Sequence, residues 1–252
     1  MSWRKTYDGA EPQRVNKWLA GEGVCSRREA EALIAKGLVR IDGERVEDAG
    51  RKILPGQSIE VGEARARPQI SVVLNKPVGV VSAQPEGGQI PAARLLTRAD
   101  LVGAPRNMPT KRTRLAPLGR LDQDSRGLLL LSEDGVLAKA VVGPESKLDK
   151  EYLVRVAGQI TEKKLALLRH GLALDGRRLK PAKVTEAEPQ RLRFVLTEGR
   201  NRQIRRMCEL AGLEVTDLLR IRIGPLKLGA LPEGKWRALA PEERESLIRA
   251  SK

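Results

Sequence analysis

Residues 119–135 read Gly-Arg-Leu-Asp-Gln-Asp-Ser-Arg-Gly-Leu-Leu-Leu-Leu-Ser-Glu-Asp-Gly, a glycine-flanked polar turn running straight into an apolar strand. The uninterrupted run from Gly127 to Leu131 suits a buried strand. The turn before it carries two carboxylates, Asp122 and Asp124, and a rigid turn feeding a buried strand holds a side chain in one place. Taken locally, the same residues also fit a purely structural turn, in which Asp122 or Asp124 accepts hydrogen bonds from backbone N–H groups. Ser132 stands where it can cap a helix containing Val136 to Val142.

Outward from this stretch, strands are expected at Ile70–Asn75, which enters Lys76-Pro77-Val78-Gly79, at Tyr152–Val156 and at Leu192–Thr197. A helix from Asn201 to Ala211 would bury an apolar stripe of Ile204, Met207, Cys208 and Ala211. On that helix Arg202, Arg205 and Arg206 fall at i, i+3 and i+4, a common face. Strands and helices mix without the regular β-α-β alternation of a doubly wound sheet, so the fold class is α+β. Residues 97–117, rich in Pro, Arg and Thr, read as a long mobile or RNA-facing loop. Pro241-Glu242-Glu243 reads as a helix start with acids near the positive end of the dipole.

The N-terminal part reads as a second, smaller module. Val15, Trp18 and Leu19 have helical spacing, and Ser26 and Glu29 form an S-x-x-E capping box. The helix they open buries Ala30, Leu33 and Ile34 and ends at Gly37, a left-handed cap. Leu38–Ile41, the turn Asp42-Gly43 and Glu44–Val46 read as a hairpin, with a last strand at Ser58–Val61. Arg27 and Arg28 lie on the second helix, on a face that is either merely solvated or turned to a polyanion. Trp3 and Tyr7 belong to a tail that stacks on RNA, is disordered, or lies against this module. Up to Arg65 the chain has 12 basic and 11 acidic residues, against 35 and 21 beyond it. The shift coincides with the polar stretch Glu63–Pro68, a linker. Two domains follow, 1–65 and 66–252.

Across its 252 residues the chain has a net charge of +15, which attracts a polyanion. Hydrophobic residues make up 40% but aromatic ones only 2%, so Leu, Val, Ile and Ala must build the core. No apolar run reaches the roughly 20 residues that span a bilayer, and the N-terminus lacks the pattern of a secretory signal. The expectation is a cytoplasmic protein without membrane contact. Cys25, Cys208 and the single His170 have no metal-ligand spacing, which argues against a zinc site or a histidine triad.

Further motifs reinforce the reading. Arg14, Trp18, Ser26-Arg27-Arg28 and Val39-Arg40-Ile41-Asp42-Gly43 resemble the S4 RNA-binding domain. The motif around Asp122, together with Leu74–Gly79, Lys150-Glu151-Tyr152, Glu198–Met207 and Gly234-Lys235-Trp236-Arg237, resembles the RsuA-type pseudouridine synthases, in family order. Within that family, Asn201–Cys208 is nearest to the branch of the large-subunit synthase F. The resemblance implies a small S4 domain ahead of a mixed α/β catalytic domain with a largely antiparallel central sheet. It implies isomerisation of uridine to pseudouridine in ribosomal RNA, 23S favoured, with a tRNA as a further candidate. The reaction is redox-neutral and consumes no water overall, so no cofactor and no metal are expected, and a monomer is the default. By resemblance Asp122 is the catalytic carboxylate, Arg205 its ionic partner and Tyr152 the residue stacked on the flipped base. Arg27, Arg28 and Lys36 of the S4 domain, with Lys76, Arg120, Arg202 and Arg206 of the catalytic domain, are the candidate RNA contacts. The competing class is a non-catalytic RNA-binding assembly factor, which would have no use for the Asp, Tyr and Arg set.

Overall fold

The computed structural model describes residues 3–62, 69–105, 107–110 and 113–251. It forms two compact units, one of Met1–Gln69 with Asp134–Lys139, the other of Ile70–Glu133 with Ala140–Lys252. The expected linker Glu63–Pro68, and with it the expected domain boundary, lies outside the described residues.

In the first unit β1 (Trp3–Thr6), β2 (Gln13–Arg14), α1 (Val15–Gly21) and α2 (Arg27–Ala35) are followed by β3 (Val39–Ile41), β4 (Glu44–Arg45), β5 (Lys52–Ile53) and β6 (Ser58–Val61). The capping box forms as expected: the Ser26 hydroxyl accepts from the Glu29 amide, and the Glu29 carboxylate accepts from the Ser26 amide. Such caps are worth about 1 kcal/mol. Gly37 closes the helix at φ 70°, and Asp42-Gly43, at φ 51° and 85°, makes the hairpin turn. Of the alternatives for the tail, lying against this module is the one seen, as Trp3–Thr6 pairs antiparallel with β6 in an ordered edge strand. The reason is aromatic packing: Trp18 lies 5.5 Å from the Trp3 ring and 5.7 Å, edge-on, from the Tyr7 ring. Tyr7 is buried, and its hydroxyl donates to the Glu11 carbonyl.

The second unit is built on a nine-stranded sheet. In chain order the elements after β6 begin with β7 (Ser71–Lys76), β8 (Val80–Val81), β9 (Ile90–Pro91), β10 (Ala116–Pro117), β11 (Arg126–Ser132), α3 (Gly135–Val142, of which the part up to Lys139 belongs to the first unit), β12 (Lys150–Ala157) and α4 (Glu162–Arg169). They continue with β13 (Ala173–Leu174), β14 (Arg177–Arg178), β15 (Lys183–Glu188), β16 (Arg191–Leu196), α5 (Gln203–Leu210), β17 (Glu214–Ile223), β18 (Leu226–Lys227), β19 (Trp236–Ala238) and α6 (Pro241–Ala250). The main path runs β15-β16-β12-β17-β11-β7-β19, with β10 on β11 and β18 on β17. Among these ladders only β11 with β17 is parallel, so the central sheet is largely antiparallel, as expected.

Strand β11 is the spine. Leu128 to Leu131 are at most 1% exposed, and burying each such side chain stabilises the fold by roughly 1.5–3 kcal/mol. Helix α3 is capped by Asp134, whose carboxylate accepts from the amides of Val136 and Leu137, and not by Ser132. Ser132 still belongs to β11, where its hydroxyl meets that of Ser71 at 2.6 Å. In the segment 97–117 the described residues are anchored: Trp236 Nε1 donates to the Thr97 carbonyl, and Leu101, Met108 and Leu115 pack on the core around Leu129 and Trp236. No helix among the described residues is long and apolar enough to cross a membrane.

Candidate active site

A cavity of about 610 Å³ opens in the second unit, within the usual size of a small-ligand pocket. Asp122, Tyr152, Arg202, Arg205 and Arg120 line it, together with Lys150, Arg200 and Arg220. Residues far apart in the chain converge here because β11, β12 and β17 are neighbours in one sheet.

The loop bearing Asp122 is fixed from three sides. The buried Ser82 hydroxyl accepts from the Leu121 amide at 2.8 Å and donates to the Leu121 carbonyl at 2.6 Å. The Gly79 amide donates to the Gln123 carbonyl at 2.8 Å, and the Gln123 side-chain amide returns a bond to the Gly79 carbonyl. Arg220, only 1% exposed, donates to the carbonyls of Gly119, Arg120 and Leu128, tying the start of the loop to the strand that leaves it. Gly127 lets this happen: at φ 106°, an added Cβ would lie 2.4 Å from the Arg220 carbonyl oxygen. Only glycine permits the parallel approach of β11 to β17 there.

The arginine wall departs from expectation. Helix α5 starts at Gln203, two residues later than Asn201, because Arg202 takes a left-handed conformation at φ 48°. The predicted apolar stripe is buried on it: Ile204, Met207 and Cys208, with Ala211 just beyond. Arg202 grips Asp124 with two hydrogen bonds of 3.2 and 2.9 Å, and its Nη1 is 3.8 Å from Asp122 Oδ2. Arg205, expected to pair with Asp122, sits instead with Asp124. Its Nη2 donates to the Asp124 carbonyl at 2.7 Å and its Nη1 to the Val215 carbonyl at 3.2 Å. Its Nε lies 3.2 Å from Asp124 Oδ2 but makes no hydrogen bond, so that contact is electrostatic. Two backbone carbonyls therefore anchor Arg205 and set where its charge lies. Burial pushes the Asp124 carboxyl up, but the hydrogen bond from Arg202 and the charges of Arg205 and Arg202 outweigh it and hold the carboxyl below the usual range.

Two candidate RNA contacts are engaged inside the protein. Lys76 is fully buried and donates to the Pro77 and Val80 carbonyls, so its ammonium is not presented to a phosphate. Burial pushes it down to about 8, with Asp122, Asp124 and Glu233 opposing that shift and Arg220 adding to it. Arg206 makes two hydrogen bonds, of 2.9 and 2.7 Å, to Asp175. Arg120 is exposed on the cavity rim, and Arg27, Arg28 and Lys36 are exposed on the first unit.

Tyr152 is half-buried on β12, packed where two hydrophobic clusters meet, one around Val154 and Phe194 and one around Leu129 and Trp236. Its cross-strand partner on β17 is Arg220, while its neighbour Glu151 pairs with Arg222, so Ile221 is an extra residue in the ladder. A bulge of this kind re-aims side chains. Arg222 then binds Glu151 at 2.6 Å and Asp149 through two bonds of 2.7 and 2.9 Å, bracing the strand that carries Tyr152. Arg220 and Lys150 are what sequence reasoning missed. Arg220 is a buried cation lining the cavity whose hydrogen-bond partners among the described residues are all carbonyls, and burial together with Arg220 pushes Lys150 below its usual range. Only the unbroken apolar surroundings of Arg220, Leu218-Leu219 and Ile221, hinted that this arginine is interior. The thiols of Cys25 and Cys208 are buried, which pushes them up to about 11 and about 12, so they pack as neutral groups.

A family model described as RNA pseudouridylate synthase matches residues 70–210, and one for the S4 domain matches residues 13–59. The dual-specificity RNA pseudouridine synthase RluF of Escherichia coli is 36% identical over 241 residues, covering 94% of this chain and 78% of that protein. The ribosomal large subunit pseudouridine synthase B of Bacillus subtilis is 35% identical over 244 residues, covering 93% and 95%. A crystal structure of a pseudouridylate synthase superimposes with a TM-score of 0.64 at 28% identity, covering 93% of this chain and 99% of that one.

Proposed function

We propose, for a chain that belongs to the RNA pseudouridylate synthase family and carries an S4 domain, that the substrate is a uridine in ribosomal RNA, 23S favoured, with Asp122 as the catalytic carboxylate. The observation that carries this reading is the meeting of Asp122, Tyr152 and the cations Arg202, Arg205, Arg220 and Lys150 around one cavity. Residues 1–65 act as the S4 domain, gripping phosphates through Arg27, Arg28 and Lys36, and residues 66–252 as the catalytic domain. The enzyme works as a cytoplasmic monomer.

The reaction exchanges the C1′–N1 bond for a C1′–C5 bond. The target nucleotide leaves its stack and its base enters the cavity, against the ring of Tyr152. Asp122 supplies an ionised carboxylate beside the sugar and base, held in place by the clamped loop. As C1′–N1 breaks, its electron pair stays on the uracil, and the negative charge that develops there faces the side of Arg220 and Lys150. The ring turns, C5 bonds to C1′, the C5 proton leaves to solvent and N1 takes one up. Arg205 acts on Asp122 through the charge it places at Asp124, and Arg202 bridges both carboxylates. The reading as a non-catalytic assembly factor has less support, since such a protein would not need the Asp122, Tyr152 and Arg205 set.

A pseudouridine map of total RNA from cells with and without the gene tests the proposal. Loss of a site in 23S rRNA is the expected result. Loss confined to 16S rRNA or tRNA would overturn the target, and no change in cells expressing the protein would favour the assembly factor. The dual specificity in the name of the E. coli relative is a reason to map every RNA class.

A further inference from the structure

Residues 169–183 contain five basic residues and one acid. At their centre the short hairpin β13–β14 turns through Asp175 and Gly176, at φ 54° and 71°, the two-residue turn that needs positive φ at both positions. Two arginines hold this hairpin, one of which, Arg200, lines the cavity. Arg200 donates to the carbonyls of Leu174, Arg177 and Arg178 at 3.2, 3.1 and 2.7 Å. Arg206 holds the Asp175 carboxylate with its two hydrogen bonds. The strand end is tied as well, since the Lys180 amide donates to Glu198 Oε1 at 2.9 Å, and Lys180 itself lines the cavity.

The mount leaves the hairpin's own cations free. Arg177 and Arg178 are exposed, and no side-chain hydrogen bond or ion pair of either occurs with another described residue. A charge that serves only solubility needs no fixed backbone beneath it, and holding a two-stranded hairpin by five hydrogen bonds from two arginines would be wasted on one. Two exposed guanidinium groups on a backbone fixed by Arg200, itself a residue of the cavity lining, match one ligand chemistry, the phosphates of the strand that delivers the nucleotide.

We propose that the β13–β14 hairpin is a phosphate grip, in which Arg177 and Arg178 bind the RNA backbone beside the nucleotide held in the cavity and Arg200 and Arg206 form its mount. This rests on the cavity being the uridine site. Arg206 on this account contributes to RNA binding without touching RNA.

The test is the salt dependence of binding to deproteinised 23S rRNA, measured between about 50 and about 200 mM salt. Arg177→Ala/Arg178→Ala is compared with wild type and with Lys163→Ala/Arg249→Ala, which removes the same charge from exposed positions that do not line the cavity. Each lost phosphate contact lowers the slope of log K against log salt by roughly 0.7–0.9, so the hairpin variant should lose about 1.5 and the control much less. An unchanged slope, or an equal loss in both variants, would overturn the grip. The wild-type protein is assayed in parallel for pseudouridine formation: its failure there would count against the function, and the slopes against the hairpin alone.

Discussion

The hydroxyl of Ser82 closes both backbone groups of Leu121, the residue before Asp122, accepting from its amide at 2.8 Å and donating to its carbonyl at 2.6 Å. A single side chain thus fixes the peptide planes that aim the Asp122 carboxylate. Ser82→Ala should leave a buried N–H and C=O without partners, costing about 1–3 kcal/mol. Loss of aim should also lower kcat by up to about a hundredfold. Ser82→Thr, which keeps the hydroxyl, should recover most of the rate. Urea unfolding and steady-state kinetics on the two variants check this; an alanine variant with wild-type kcat would count against the clamp.

Gly127→Ala should be among the most destabilising single changes in the second unit. The new Cβ meets the Arg220 backbone at 2.4 Å, and the residue must hold φ 106°. A loss of about 2–4 kcal/mol is expected, read as a lowered urea midpoint. Gly43→Ala is the control: it also has positive φ but nothing within 4 Å of its Cβ, and it should cost less.

Lys76 should make stability rise with pH on the alkaline side. Its folded pKa, about 8, lies below the ordinary 10.5, so above pH 8 the unfolded chain binds more protons than the folded one. Stability should therefore increase by about 3 kcal/mol between roughly pH 8 and pH 10.5. Lys76→Met should remove this rise while losing the bonds to Pro77 and Val80. Unfolding free energies across that range decide it, and equal curves for both proteins would contradict the burial argument.

At acid pH the brace beside Tyr152 should weaken. Hydrogen bonds from Arg222 lead the causes that hold the carboxyls of both Asp149 and Glu151 below their ordinary values. Depressed carboxyl pKa values add stability above pH 4, and it is lost as pH falls through the folded values. Arg222→Met should cost about 2 kcal/mol at neutral pH and flatten the acid limb. Denaturation series from pH 6 downward test both effects.

What was legible in the sequence was local. The Ser26–Glu29 box, the Asp42-Gly43 turn, the Leu128–Leu131 strand and the stripe of Ile204, Met207 and Cys208 each follow from neighbours in the chain. The misses were the work of distant partners. Trp3–Thr6 became a strand because β6 and Trp18 were there to receive it. Asp134 took the cap from Ser132, whose hydroxyl was claimed by Ser71 across the ladder. The family resemblance brought Asp122, Tyr152 and Arg205 to attention, but it did not foresee that Arg205 would lean on Asp124 and Val215. Nor did it point to Ser82 and Arg220, whose roles exist only once β7, β11 and β17 are assembled.

The central claim is that Asp122 carries the isomerisation. Because the C5 proton is lost when C1′ moves, tritium placed on C5 of the uridines in rRNA reports turnover directly. Wild-type protein should release that tritium, and Asp122→Asn should release none while binding the same RNA with similar affinity and unfolding at a similar urea concentration. Tritium release by Asp122→Asn at a rate near that of the wild type would contradict the account.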